Sequence, residues 1–327
     1  MTTTQHTAPA GTSTPPARRT GDSTRTRRRG PLGEQALPYL LLAPAVLVLL
    51  WLIGWPAVLM LLTSFRKLGL GELVRGEFVW TGLDNYRAAL SRPEFWPATL
   101  RTVAFTAACV VGTIVVGLLV ALLLRQLGPV VRTTLQICMV LAWAMPIVAA
   151  TTVYQWVFDQ NYGILNKTLV LLGFDSFAGH NWFATGTSTL AVVVLLIVWQ
   201  AVPFVALSLY AGLIGIPREL YEAAGIDGAN AWQTFRSVTW PTLRPLLLML
   251  TFLSTLWDFK IFTQIWAFRQ GGPDGQSTTL QILQYLRSFA DNDFGGAAAI
   301  SVLMMLVLIA LTAQYLRLLV RSQEVQL

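Results

Sequence analysis

Six long apolar runs separated by polar stretches organise the chain. They extend over about Leu37 to Thr63, Leu100 to Leu124, Thr133 to Phe158, Ser188 to Leu213, Leu243 to Phe268 and Ala297 to Val320. Each exceeds the roughly 18 apolar residues that mark a membrane-spanning helix. In lipid, every backbone polar group must be satisfied within its own segment, so each run is expected to be a helix. The predicted class is an all-α membrane protein with six transmembrane helices. The first run is too long for the apolar core of a signal peptide and no processing site follows it, so it reads as a retained span.

Composition agrees with this reading. Of 327 residues, 54% are hydrophobic and 12% charged, against roughly 25% charged in a soluble domain. Cys109 and Cys138 both fall inside apolar runs and read as small core residues. With His6 and His180 the only histidines, a multi-histidine metal site is excluded. The net charge of +7 reflects a tail in which Arg18, Arg19, Arg25, Arg27, Arg28 and Arg29 cluster among Thr, Ser, Pro and Gly. Residues 1–35 are too polar to fold alone. They read as a disordered leader facing anionic lipid rather than as a nucleic-acid arm, ahead of a membrane domain at 36–327.

Lysine and arginine near the span ends set the orientation. One side gathers the tail arginines with Arg125, Arg132, Arg218, Arg236, Arg244, Arg317 and Arg321. The other holds a smaller set, Arg66, Lys67, Arg75, Arg87, Arg92, Arg101, Lys167, Arg269 and Arg287. The richer side is expected to be cytoplasmic and to hold both termini. Residues 214–242 then form the longest inner loop, and the loops at about 64–99, 159–187 and 269–296 lie outside.

That inner loop contains ELYEAAGIDGANAWQTFRSVTWP at 219–241. Pro217 can open a helix, with Glu219 and Glu222 placed early to suit its dipole. Gly225 and Gly228 can end it, and Asn230 can cap a second helix whose Trp232, Phe235 and Val238 bury one face. Two short helices at a sharp angle are expected. The residues alone leave two roles open, an interfacial hairpin that only joins two spans or a surface that docks a partner.

The fifth run carries Asp258 and Lys260 at membrane depth, where each costs roughly 2.5–3.5 kcal/mol on insertion scales. Two positions apart, they point to nearly opposite sides of a helix and cannot pair. Thr251, Ser254, Thr255 and Asp258 share one face, while Lys260, Thr263 and Gln264 form a second patch. These groups line a polar cavity or pair with a neighbouring membrane subunit. ATP hydrolysis within this chain is excluded. A P-loop needs Gly-Lys followed by Ser or Thr, and Lys67, Lys167 and Lys260 follow Arg66, Asn166 and Phe259.

Glu222-Ala223-Ala224, three residues, Gly228, nine residues and Val238-Thr239-Trp240-Pro241 resemble the EAA signature of binding-protein-dependent ABC importer permeases. Val238 and Trp240 stand where Ile and Leu are usual. LLLAPAVLVLL at 40–50, TGLDNYRAAL at 81–90, NYGILN at 161–166 and GGPDGQSTTLQILQYLRSFADNDFGGAAAIS at 271–301 are similar to segments of the sugar branch, the maltose-type and glycerol-phosphate-type permeases. The resemblance implies the type I ABC importer permease fold with cytoplasmic coupling helices, in a bacterial plasma membrane. It makes Glu222, Ala223, Ala224, Asp227, Gly228 and Pro241 the ATPase-coupling residues. It implies a second homologous permease subunit, a cytoplasmic ATP-binding-cassette ATPase dimer that carries the ATP and Mg, and an extracytoplasmic solute-binding protein. No cofactor, catalytic residue or metal is implied in this chain.

Sugar permeases of this kind often carry an F-[RK]-x-F-D run, matched by Phe259-Lys260-Ile261-Phe262 except that Thr263 replaces the Asp. The intramembrane polar patches, with this partial match, make Trp257, Asp258, Lys260, Thr263 and Gln264 candidates for the substrate pathway. Trp257, in mid-span, is better placed to stack on a sugar than Trp266 near the outer edge. WDFKIFTQIW at 257–266 is similar to the corresponding stretch of actinobacterial amino-sugar disaccharide permeases. A disaccharide or oligosaccharide is the implied cargo. The alternative class is an ion-coupled secondary transporter with Asp258 as its coupling site. It predicts helices broken at corresponding places in two repeats, and no such repeat of Gly or Pro is visible. An intramembrane enzyme is a third class, disfavoured because no His lies in any span.

Overall fold

The computed structural model describes residues 32–324. Residues 1–31, with the six tail arginines and His6, lie outside the described residues. The chain divides after Trp55 into two units, and the packing described below belongs to the second.

Helix α1 (Leu32–Leu49), a π-helical turn (Leu50–Gly54) and α2 (Trp55–Ser64) follow one another without interruption. The stretch from Pro38 to Ser64 is long and apolar enough to cross a membrane. In the π turn, the Trp55 amide bonds the Leu50 carbonyl, five residues back. The cause is Pro56, which has no N–H to offer and whose ring crowds the preceding turn.

Strand β1 (Arg66–Lys67) pairs antiparallel with β2 (Val79–Trp80) around the short α3 (Leu70–Arg75). Helix α4 (Asp84–Ser91) then leads into α5 (Phe95–Gln126), a second full-length span. The next apolar run forms α6 (Pro129–Trp143) and α7 (Ile147–Val157), which meet at a 99° bend. The expectation of one continuous helix is corrected here. Pro146 withdraws a donor and disfavours helical geometry at Met145. The freed Met145 carbonyl accepts a hydrogen bond from Gln200 Nε2 at 3.1 Å.

Helix α8 (Ile164–Leu171) precedes α9 (Gly186–Ile214), which crosses whole despite Pro203. Next come α10 (Arg218–Ile226), α11 (Ala231–Thr234), a second π turn (Phe235–Thr239) and α12 (Trp240–Asp258). The loop's second helix is therefore not short. It continues through the π turn into the fifth span, again just ahead of a Trp-Pro pair, Trp240-Pro241. That span breaks at residues 259–262 and resumes as α13 (Thr263–Arg269) after a 44° bend. Helix α14 (Leu280–Phe289) and the long α15 (Phe294–Glu324) complete the chain. Among the described residues, four helices can cross a membrane singly, six if each bent pair counts as one span. The two breaks fall in the third and fifth spans, which are not corresponding positions of two three-helix halves. The paired interruptions of a repeated secondary carrier are absent from this pattern.

The centre of the second unit is the packing of α5 on α9. A Cβ at Gly117 would lie 2.6 Å from Val205 Cγ1 and 3.1 Å from Val205 Cβ, so glycine is what lets the two backbones approach. Around this seam Phe105, Cys109, Val193 and Leu196 meet Ile265 and Ile282, and Ala121, Leu209 and Leu213 meet Leu243 and Leu247. Cys109 is fully buried, as expected, but Cys138 is exposed on α6 and is not a core residue.

Hydrogen bonds tie the loops at 64–99, 159–187 and 269–296 together on one face. Arg287 Nη2 reaches Glu94 at 2.6 Å, Gly186 N donates to Gln276 Oε1 at 3.2 Å, and Gly295 N donates to the Leu68 carbonyl at 3.1 Å. Arg125, Arg132, Arg218 and Tyr221 line a common cleft, which places the α5–α6 turn beside the 214–242 loop on another face.

Candidate functional site

The two broken spans open onto the same space. A cavity of about 730 Å³ is lined by Met145, Pro146 and Ile147 from the first break and by Lys260, Ile261 and Phe262 from the second. Irregular backbone at membrane depth is tolerated where it lines a cavity or is buried in protein, which accounts for both breaks in one place. All five residues singled out for the substrate pathway, Trp257, Asp258, Lys260, Thr263 and Gln264, line this cavity.

Their environments differ. Asp258 is 6% exposed, and its Oδ2 has no hydrogen-bond partner among the described residues. Lys260 is exposed and makes no ion pair with Asp258 or any other described carboxylate. Pairing of these two charges was excluded from their spacing, and the geometry agrees. Gln264 is buried, while Thr263 and Trp257 are exposed toward the opening. Trp266 does not line the cavity and packs against Phe262 and Tyr285.

Several lining residues were not singled out from the sequence. Trp143, Phe204 and Trp257 form a chain of rings, with centroids 6.1 Å and 5.6 Å apart. Gln200 shares the lining with Asp258 and also holds the Met145 carbonyl. Its signal was available, because a glutamine inside VLLIVWQAVPF is costly in lipid without a partner.

The second element is the 214–242 loop. Pro217 caps α10 from outside rather than opening it, so Glu222 falls in the second turn. At the other end Gly228 takes φ +73°. Its N–H bonds the Gly225 carbonyl at 3.1 Å, and the Ala229 N–H bonds the Ala224 carbonyl at 2.9 Å. These are the two bonds of a Schellman stop, with Gly228 as its left-handed residue. The fixed interval between Ala224 and Gly228 thus has a geometric cause. Gly225, the other candidate stop, stays helical. Asn230 Oδ1 accepts from Gln233 N at 2.9 Å and Gln233 Oε1 accepts from Asn230 N at 2.8 Å, the reciprocal cap expected for the next helix.

Glu222 and Ala223 are exposed, Ala224 is half-buried, Asp227 caps the helix end and Pro241 is the second residue of α12. Beside them Ile226 is 87% and Trp232 68% exposed. The polar turn therefore displays large apolar side chains that nothing in the described chain covers.

Residues 113–325 match the model of the family described as binding-protein-dependent transport system inner membrane component. The diacetylchitobiose uptake system permease protein DasB of Streptomyces coelicolor is 48% identical over 93% of this chain and 92% of its own length. The sulfoquinovosyl glycerol transport system permease protein SmoG of Agrobacterium fabrum is 34% identical, over 90% and 93%. The trehalose/maltose transport system permease protein MalF of Thermococcus litoralis is 33% identical, over 87% and 94%. Among solved structures, a bacterial ABC transporter for the acidic polysaccharide alginate superposes with a TM-score of 0.74 over 88% of this chain and 97% of its own, at 18% identity. That last likeness concerns the fold, which is the type I importer permease. The chain belongs to the binding-protein-dependent transport system inner membrane components, a multi-pass plasma-membrane permease subunit rather than an enzyme.

Proposed function

We propose that this permease subunit forms the membrane pathway for a disaccharide or oligosaccharide, of the amino-sugar disaccharide class to which diacetylchitobiose belongs. The observation that carries the proposal is the cavity between the two broken spans, where Trp257, Asp258, Lys260, Thr263 and Gln264 converge. Its volume lies in the range of small-molecule sites, roughly 300–1,000 Å³. Rings on one side offer stacking faces to a sugar, and the unpartnered Asp258 carboxylate and the Lys260 ammonium offer hydrogen bonds to hydroxyl and acetamido groups. The names of the 48% and 33% identical relatives support a glycan cargo.

On this reading Glu222, Ala223, Ala224, Asp227, Gly228 and Pro241 couple the chain to an ATP-binding-cassette ATPase dimer, which holds the ATP and Mg. The coupling loop and both termini are cytoplasmic, with residues 1–35 as a basic leader before the 36–327 membrane domain. A second homologous permease completes the pathway, and an extracytoplasmic solute-binding protein delivers the sugar. Proteoliposomes holding the complete importer, with labelled diacetylchitobiose and its binding protein, provide the test. Trp257→Ala and Asp258→Asn should each lower uptake about tenfold, in keeping with loss of about 1.4 kcal/mol of contact, while the ATPase stays associated. Undiminished uptake in both variants would remove the cavity from the pathway.

A further inference from the structure

A second cavity, of about 470 Å³, lies at the coupling-loop end of the molecule. Three guanidinium groups line it: Arg125 from the last turn of α5, Arg132 from α6 and Arg218 from the start of α10. Glu222 is its one carboxylate, so the lining carries a surplus of positive charge. None of the three arginines makes an ion pair or a side-chain hydrogen bond among the described residues.

Two of them are nevertheless held in place. The Arg125 guanidinium lies 4.0 Å from the centroid of the Tyr221 ring, and that of Arg132 lies 5.9 Å from the Tyr210 ring. Stacking on an aromatic face fixes the plane of a guanidinium and leaves its N–H edge free. The Arg125 fork is stacked, the Arg132 guanidinium lies at the outer edge of contact with its ring, and each brings five donors with no acceptor supplied by the described protein. Arginine at a membrane boundary often does no more than face water, but such side chains are not usually pinned around a common cavity. The flank is apolar, because Ile214 in the lining is 63% exposed, and Val130 and Val131 beside Arg132 are 77% and 53% exposed.

We infer that this cleft binds a phosphate ester, either the headgroup of an anionic lipid or a soluble phosphate compound, through Arg125 and Arg132. Phosphate suits two planar forks because its oxygens accept bidentate bonds. Basic pockets between membrane helices at the inner leaflet are suited to anionic headgroups, and the exposed apolar flank would take the acyl chains. Because the cleft adjoins Tyr221 and Glu222, occupancy would bear on the coupling helix. That last consequence rests on the coupling-loop reading, whereas binding itself does not.

The test uses the complete importer purified in detergent, with native mass spectrometry as the readout. It is titrated separately with phosphatidylglycerol, phosphatidylcholine and glycerol phosphate. The wild type should take up phosphatidylglycerol or glycerol phosphate in preference to phosphatidylcholine, and which of the two it takes identifies the source. Arg132→Gln should weaken that binding about tenfold, a loss of about 1.4 kcal/mol, and Arg125→Gln with Arg132→Gln further. Arg244→Gln, which removes a charge outside the cleft, should leave it unchanged. The proposal is overturned by equal binding in the wild type and Arg132→Gln, or by an equal loss in Arg244→Gln. It is also overturned if the double variant sheds the ATPase yet binds anions normally, because the arginines would then grip an acidic face of that partner. The readout needs no transport, so a chain that fails to couple can still pass it.

Discussion

The two ends of the permease are built on opposite plans. On the face formed by the 64–99, 159–187 and 269–296 loops, polar side chains find partners within the chain. Arg287, 9% exposed at its side chain, bridges Glu94 and Asp291, and Arg101 donates to the Gly275 and Thr278 carbonyls. Trp182 Nε1 donates to Asn166 Oδ1 at 2.7 Å, and Asn166 in turn holds the His180 carbonyl. At the coupling-loop end, the side-chain bonds are the Asn230–Gln233 cap, the Tyr221–Thr239 contact at 3.1 Å and the local Ser237 and Thr242 bonds to their own helix. Ile226, Trp232 and Glu222 face outward. One end has closed upon itself, and the other holds a defined shape while leaving its contacts unmade. Variants at the first should change stability and spare coupling, and variants at the second should do the reverse.

The largest effect is expected from Gly228→Val. A branched residue at φ +73° is strained by about 1–2 kcal/mol and dismantles the Schellman stop, so sugar uptake should be lost while membrane insertion, followed by fractionation, persists. Ile226→Ser should weaken retention of the ATPase about tenfold in co-purification, an interface loss of about 1–2 kcal/mol, with an unchanged melting temperature. Arg287→Ala should instead lower stability by about 1–2 kcal/mol, discounted for the half-exposed carboxylates it holds, and leave ATPase retention intact. Thr102→Val removes the hydroxyl that accepts the Leu280 N–H at 2.9 Å, and should lower stability by about 1 kcal/mol in a denaturant titration of the purified chain.

The smallest effect concerns pH. Hydrogen bonds from its own backbone N–H and from that of Gly69, with Lys67 nearby, hold the Glu72 carboxyl below its usual range. Similarly, the Tyr162 and Asn161 amides lower that of Asp159. A lowered carboxyl favours the fold above its ordinary value, and the contribution fades as pH falls through the carboxylate range. Glu72→Gln should flatten part of the decline in melting temperature on acidification while leaving neutral uptake unaltered. An acid effect on ATPase retention rather than on melting would blur the division between the two ends.

Much of this was legible in the residues because the causes are local. Apolar length located the full helices of the first, second, fourth and sixth spans, and the Ala224–Gly228 interval and Asn230 encoded a helix stop and a helix start. Pro146 carried the third-span break in plain view, yet Pro203 lies inside α9 without breaking it. Proline supplies the opportunity for a break, and the Gln200 amide, distant in sequence, satisfies the carbonyl that the break frees. The break at 259–262 contains no proline and depends on a cavity assembled from three spans. Trp143 and Phe204 became visible as site residues only when that cavity brought them together, whereas Gln200 carried a signal in its cost within an apolar span. The exposure of Cys138 likewise depends on which face of α6 turns outward.

The π turn at Phe235–Thr239 has a mechanical consequence. Because it widens the helix instead of ending it, residues 231–258 make a single rod of roughly 40 Å at 1.5 Å per residue. One end of that rod is part of the 214–242 loop, and Asp258 in the cavity wall is the other. The helix first breaks at 259–262, so a displacement of the loop would travel to the cavity along one continuous helix, with the π turn and Pro245 as the places where it can bend.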